Sequence, residues 1–390
     1  MPTTKQGDYG SVGGTQAVPS DFLVKGVLAD RLFYEEAEIS MLTLLARAAN
    51  KEKVPSFKFE WFEQQERPHT GQVNNGAGYA AGDVSIVVDD ADPVQVNSLI
   101  AFQRIQEVCY VSAVNVTTNT LTIERSWGGT AAAALLDNDY FTIVGAVAME
   151  GANAELGLFT EPTNPYNHTQ IYRNPYSVTR TEEQSATYAG VSLKDRRFQA
   201  ARNHKIDIEM SGFVGERNQD TSGNGSRHST GGLWEFATSN LKAFGGVNPT
   251  YAEIVAQSDK DFRYGSKKKM LFCGRGAAGA LSMIPEDKIR TVPKADSFGT
   301  RLNVLFTQHG DYVIHSHPLL SGGELASMCF VVDIRNFGYG YLQDVILKPI
   351  VDWKKPGSSG ADAVKEEWLS EMGWIRKLER THSIWTGAAA

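Results

Sequence analysis

No apolar run in the sequence approaches the roughly 18–20 residues needed to cross a bilayer. The longest candidate, Phe141 to Met149, is nine residues and contains Thr142 and Gly145. No membrane partnership is therefore expected. Cysteine is scarce: Cys109, Cys273 and Cys329 are an odd number at wide spacings. That excludes a disulfide framework and a CxxC knuckle, and three reduced, mostly buried thiols in a cytoplasmic product are expected. The first residues lack the basic start and apolar stretch of an export signal. Basic excess is missing too. Lys and Arg number 38 against 45 Asp and Glu, a net charge of −7, which argues against a free nucleic-acid binder. Finally, there is no GxSxG elbow, no GxxxxGK[ST] loop and no HExxH helix. No catalysis and no cofactor are expected.

What is present belongs to a folded chain. Hydrophobic residues make up 42% and charged residues 21% of 390 positions. A single core stops growing near about 250–300 residues, so more than one packed region is expected. Charge is unevenly spread. Residues 83–148 hold eight acids and two bases, a net −6, which leaves −1 for everything else. The stretch from Lys194 to Lys205 instead carries Lys194, Arg196, Arg197, Arg202 and Lys205 against Asp195 alone. One part should avoid polyanions and another could tolerate them.

Residues 1 to about 30 are rich in Gly, Ser, Thr and Gln, too polar to order themselves; such an arm gains order on a neighbouring subunit. Ile39, Leu42, Leu45 and Ala49 form a helical stripe that Pro55 ends. Ser56 to Phe62 alternates, with Phe57, Phe59 and Trp61 on one face of a half-buried strand. Short β-runs from Asp83 to Ala148, with a hairpin across Thr117 and Thr118, predict a separate small barrel or sandwich. Residues 161–176 read as a proline-rich loop, and 218–232 as a polar, glycine-rich one. Between them a long helix is predicted from Ser192, its N-cap, to Glu216, basic in its first half. Helices and strands then mix without strict alternation, so the fold class is α+β.

Three motifs have chemical lookalikes. Gly274 to Gly279 matches GxGxxG after a strand, but the next strand ends without the acid a dinucleotide site needs. A tight strand–helix turn is the plainer reading. His315-Ser316-His317-Pro318 is similar to the zinc centre of JAMM-type metallo-isopeptidases. Leu325 and Met328 stand where that family places its Ser and Asp, so the third ligand is missing. The basic stretch 194–205 has only Phe198 for stacking, which suits phosphate proximity or a solvated helix face rather than base reading.

Several segments in succession resemble the major capsid proteins of tailed bacteriophages with the Hong Kong 97 phage fold. They are Ile39–Gln64, Arg173–Gly190, Ala201–Arg217, Thr230–Phe236 and Glu366–Gly387. The resemblance implies an N-terminal arm at 1–35 and a helix of the peripheral region at 36–55. It implies an extended E-loop at 56–82 and 149–185, with the acidic all-β insertion at 83–148. A peripheral domain with a long spine helix follows at 186–245, an axial domain at 246–345, and returning C-terminal strands at 346–390. It further implies an icosahedral head of hexamers and pentamers, made in the bacterial host's cytoplasm, enclosing double-stranded DNA. Separate scaffold and portal proteins, and a decoration protein, would be partners. Lys194, Arg196, Arg197, Arg202 and Lys205 would be a lumenal DNA-facing patch. Phe57, Phe59 and Trp61 would lie in an intersubunit strand. Two other readings stand beside it: an adhesin-type virion protein built on the inserted β unit, and a zinc hydrolase at His315 and His317.

Overall fold

The computed structural model describes residues 41–151, 159–185, 193–222, 225–284, 289–291, 303–352 and 362–388. The expected arm at 1–35, the expected N-cap Ser192 and most of the 354–362 loop lie outside the described residues. The chain divides into two compact units, one of residues 1–61 with 165–390, the other of residues 62–164.

The 62–164 unit is all β. Its six-stranded antiparallel sheet runs in the order Thr70–Gln72, Tyr140–Ala146, Ser98–Phe102, Glu107–Asn115, Thr120–Glu124 and Ser85–Val87. The outermost strands are joined by a Val73–Val88 bridge, with Asn74 N donating to Val87 O at 2.9 Å and Asp89 N to Gln72 O at 3.0 Å. The sheet therefore closes into a small barrel, which leaves no free edge. Alternation fills it: Ile100 and Phe102, Leu121 and Ile123, Phe141 and Ile143 all point inward. The unit is larger than the 83–148 expected from sequence. Thr70–Gln72, assigned to the E-loop, is one of its strands, and its polar Thr-Gly-Gln carries no alternation signal. Gly71 lies against the Phe141 ring, where a Cβ would come within 2.4 Å.

A buried ion pair organises one end of the barrel. Arg125 clasps Glu107 with two bonds, Nε to Oε1 at 2.8 Å and Nη2 to Oε2 at 2.6 Å, and donates to Ala133 O at 2.5 Å. Glu107, fully buried, also accepts from Ser126 N and Ala133 N. Burial alone would raise the Glu107 pKa, but the bonds from Arg125 and Ser126 outweigh it and hold the carboxylate below its usual range.

In the other unit, a four-stranded sheet orders Lys51–Lys53, Phe337–Asp352, Ala363–Arg376 and Gln170–Thr179. Residues 170–176, expected as loop, belong to this edge strand. Pro175 is tolerated there because an edge position needs no N–H on its outer side. Helices α1 (Met41–Ala49), α2 (Arg180–Gln184) and α3 (Leu193–Val214) come next. At 1.5 Å per residue, α3 spans roughly 33 Å. Leu42 and Ala46 of α1, Ile208 and Phe213 of α3, and Phe337, Tyr339, Met372 and Trp374 of the sheet share one core. Gly212 permits the close approach of α1, since a Cβ there would lie 2.9 Å from both Leu42 and Trp374.

The stretch 218–232, expected as a flexible loop, contains a short hairpin of Asn218–Asp220 with Arg227–Ser229, followed by α4 (Leu233–Phe236). Helices α5 (Tyr251–Asp261) and α6 (Arg275–Ser282) belong to a seven-stranded mixed sheet. Its order is Leu241–Val247, Ser383–Ala388, Cys329–Val332, Lys268–Cys273, Asp311–Ser316, Asn303–Phe306 and Ile289–Thr291. α5 opens with a capping box of Thr250 and Glu253. Leu271 and Cys273 face the α5 and α6 side, while Phe272 and Phe330 meet Phe213 of α3. The class is α+β, as expected.

Candidate functional site

α3 holds α1 through one buried carboxylate. Glu209, with no solvent exposure, accepts from Leu42 N at 2.7 Å and Thr43 N at 2.8 Å, and from the Thr43 hydroxyl. The first N–H groups of a helix have no partner within it, and the helix dipole favours an anion there. His317 closes the fourth side, its Nε2 3.0 Å from Glu209 Oε1. Leu319 N donates to His317 Nδ1 at 3.3 Å, so the bonding pattern assigns the proton to Nε2. Both ring nitrogens are thereby engaged in holding structure. His315 is also buried, edge-on to Phe272 at 5.8 Å. Among the described residues no group of three or more His, Cys, Asp or Glu is placed to hold a metal ion. The HxHP sequence thus forms part of the joint between α1, α3 and the seven-stranded sheet. Nothing in its spacing identified Glu209, 108 residues away, as its partner.

Gly274 is the N-cap of α6, and a Cβ there would lie 2.3 Å from Leu325 O. Close approach of the backbone of residues 325–326 explains the small residues at this turn.

The five basic residues of α3 do not act alike. Arg196 pairs with Glu182, and Arg197 chelates Glu366 at 2.7 and 3.0 Å while donating to the Tyr176 hydroxyl. Lys194 and Lys205 are exposed, and Arg202 is half-buried. Glu366 lies 169 positions from Arg197, so the neutralisation was invisible to local charge counting. The aromatic strand is likewise turned inward. Phe59 is buried with Val54 and Ile375, and Trp61 packs against them. Phe57 is 37% exposed and stacks on His228 at 4.4 Å. Their strand, Lys58–Glu60, pairs with Tyr166–His168. Asn167 ties that return strand down with bonds to Trp374 O, Gly231 O and Thr230.

The end of the seven-stranded sheet nearest α5 is built around Lys269. This side chain is 1% exposed, and its ammonium donates to Tyr264 O at 3.0 Å, Thr381 O at 2.7 Å and Asp261 O. Asp261 accepts from Tyr312 and Trp385, and Asp333 from Ser266 N. His382 is buried beside this network, its Nε2 3.3 Å from Lys377 O. Burial, with Lys269 nearby, pushes its pKa down to about 4. His204 and His168 are lowered as well, chiefly by burial. An unfolded histidine titrates near 6.5, so these groups contribute stability above that pH and lose it as pH falls towards the folded value. Asp261, raised by burial, acts in the opposite direction. Comparing the parental chain with His382→Gln by urea titration isolates one contribution. The parental chain should lose roughly 3 kcal/mol more than the variant between pH 7 and pH 4. Equal losses would remove His382 from the account.

A protein of Pseudomonas phage PaMx41 described as a major capsid protein is 24% identical over 242 residues, covering 57% of this chain and 56% of that one. The chain thus spans just over half the length of this curated relative. Among solved structures, the capsid of a native GTA particle is similar at 12% identity and a TM-score of 0.49, over 97% of this chain and 100% of that one. A Gordonia phage Cozz chain is similar at 10% identity and a TM-score of 0.48, over 97% of both. Residues 30–389 match the sequence model of the SU10 major capsid protein, and the chain belongs to that family.

Proposed function

We propose that copies of this chain assemble into the hexamers and pentamers of an icosahedral phage head that encloses double-stranded DNA. The family match from residue 30 to residue 389 carries this reading. The proposed layout is of the Hong Kong 97 type. The four-stranded sheet with α3 as its spine is the peripheral domain. The seven-stranded sheet, from Leu241–Val247 to Cys329–Val332, is the axial domain; Ser383–Ala388, expected to return to the peripheral domain, goes with it, and Phe337–Asp352 of the four-stranded sheet goes with the peripheral domain. The 62–164 barrel is an insertion in the E-loop. Synthesis in the bacterial cytoplasm, a separate scaffold, a portal and a decoration protein complete the proposal.

Of the basic residues on α3, Lys194 and Lys205 are the exposed ones and are proposed to approach DNA phosphate. Phe57 remains the most exposed of the three aromatic residues proposed for an intersubunit strand. Sedimentation velocity on the purified chain tests the proposal. Rapidly sedimenting rings and shells are expected; a single-chain species at every concentration would contradict it.

A further inference from the structure

The barrel unit and the remainder of the chain carry opposite charge. Residues 62–164 contain thirteen acids and three bases, a net −10; the chain total of −7 leaves +3 for the rest. The structural boundary therefore sharpens the segregation beyond the −6 of residues 83–148. Isolated charge counts say little about surfaces, so the placement of the charges matters.

One end of the seven-stranded sheet collects unneutralised cations. Lys268 begins the strand Lys268–Cys273, paired in register with Asp311 at the start of a parallel strand. The neighbouring strand Cys329–Val332 runs the other way and ends at the same side, Val332 opposite Met270. Ser383 begins the next strand opposite Val331. This arrangement brings Lys260 and Arg263 at the end of α5, Lys267 and Lys268, Arg335, and Arg380 to one rim. All six are exposed. None has a carboxylate within ion-pair distance among the described residues. The rim is also rigid. Lys269 bonds the carbonyls of Asp261, Tyr264 and Thr381 at once, clamping the end of α5, the following turn and the 379–381 turn together.

Holding like charges side by side costs energy unless an anionic partner arrives. Three acids are interspersed: Asp259, Asp311 and Glu379. Duplex DNA presents one negative charge per about 1.7 Å, and these acids would oppose such a uniform polyanion. A folded acidic surface, with its own spacing, accommodates them. The barrel offers one. Asp89, Asp90, Asp92 and Asp137 are exposed, none paired with a cation among the described residues. Asp89 N bonds Gln72 O and Asn138 N bonds Val73 O, which sets both acidic turns beside the 72–73 backbone.

Resting on the shell reading, we propose that this cationic sheet end docks the acidic 62–164 unit of a second copy of the chain. Each copy then carries both halves of a heterologous contact, the kind that closes into rings.

Full-length charge reversals test it. Lys267→Glu with Lys268→Glu should lower the assembled fraction at least about tenfold at low salt, where charge contacts are least screened. Asp89→Lys with Asp92→Lys should do the same. The chain carrying all four substitutions should recover to within about threefold of the parental chain. Far-UV circular dichroism and melting establish that each variant is folded. Assembly of the parental chain is the control for the shell reading itself. Given that control, undiminished assembly of either reversed pair overturns the docking proposal alone. So does a fourfold variant no better than its parents. Loss of duplex DNA binding by the lysine-reversed chain, with assembly intact, would assign the rim to phosphate instead and overturn it too.

Discussion

Glu209→Ala is expected to destabilise the unit holding α1 and α3 by about 3–5 kcal/mol. Alanine leaves four donors without their acceptor: Leu42 N, Thr43 N, the Thr43 hydroxyl and His317 Nε2. The first and last are buried, and each unsatisfied buried donor costs about 1–3 kcal/mol. Among the described residues no other acceptor is bonded to Leu42 N or His317 Nε2, and both residues have zero exposure. Glu209→Gln should cost less, because its carbonyl oxygen still accepts on one side. Its amide group, however, would face a donor on the other. Urea denaturation of the dissociated chain, followed by tryptophan fluorescence, measures both. Trp374 packs in the same core as Leu42 and reports directly. A loss below about 1 kcal/mol for alanine would show that α1 is held by its apolar face alone.

Arg125→Met should have a comparable effect on the barrel. Removing the guanidinium strands a fully buried Glu107 carboxylate, and breaking such a pair from one side costs about 3–5 kcal/mol. It also releases the bond to Ala133 O that fixes residues 126–135. With Arg125 gone, the Glu107 pKa should rise, since burial would then dominate. The loss should therefore shrink at low pH, as Glu107 takes up a proton. The double variant Glu107→Gln with Arg125→Met should recover part of the stability at neutral pH, because the stranded charge is gone. Trp127, two residues from Arg125 and stacked on Tyr110 at 4.6 Å, is a local reporter. A single variant as stable as the parental chain would mean that water or another cation reaches Glu107.

Elements with strong local patterns were legible in the sequence. The hairpin across Thr117 and Thr118 appears as Glu107–Asn115 and Thr120–Glu124. The sequence predicts helices from Pro249 to about Phe262 and at Gly276–Met283, and strands at Lys269–Cys273 and near Met328–Asp333; these are α5, α6, Lys268–Cys273 and Cys329–Val332. What escaped was whatever depends on distant residues. Thr70–Gln72 lacks alternation and becomes a strand only because Tyr140–Thr142 lies beside it. Pro175 looked like loop chemistry until the strand proved to be at an edge. Glu209 looks like any helix acid, and only the fold buries it against α1. Arg196 and Arg197 looked like a free basic face, yet their carboxylate partners arrive from Glu182 and Glu366. Conversely, the cations of the sheet rim are spread from Lys260 to Arg380 and converge only through strand order.

These features fit a subunit whose charged surfaces are completed by copies of itself. The chain belongs to the SU10 major capsid protein family; the unneutralised rim and the acidic barrel are the surfaces proposed to join neighbours. Negative-stain electron microscopy of the purified full-length chain at low salt bears on this most directly. Rings and closed shells are the predicted image. Fields of dispersed single chains, unchanged as concentration rises and salt falls, would contradict it.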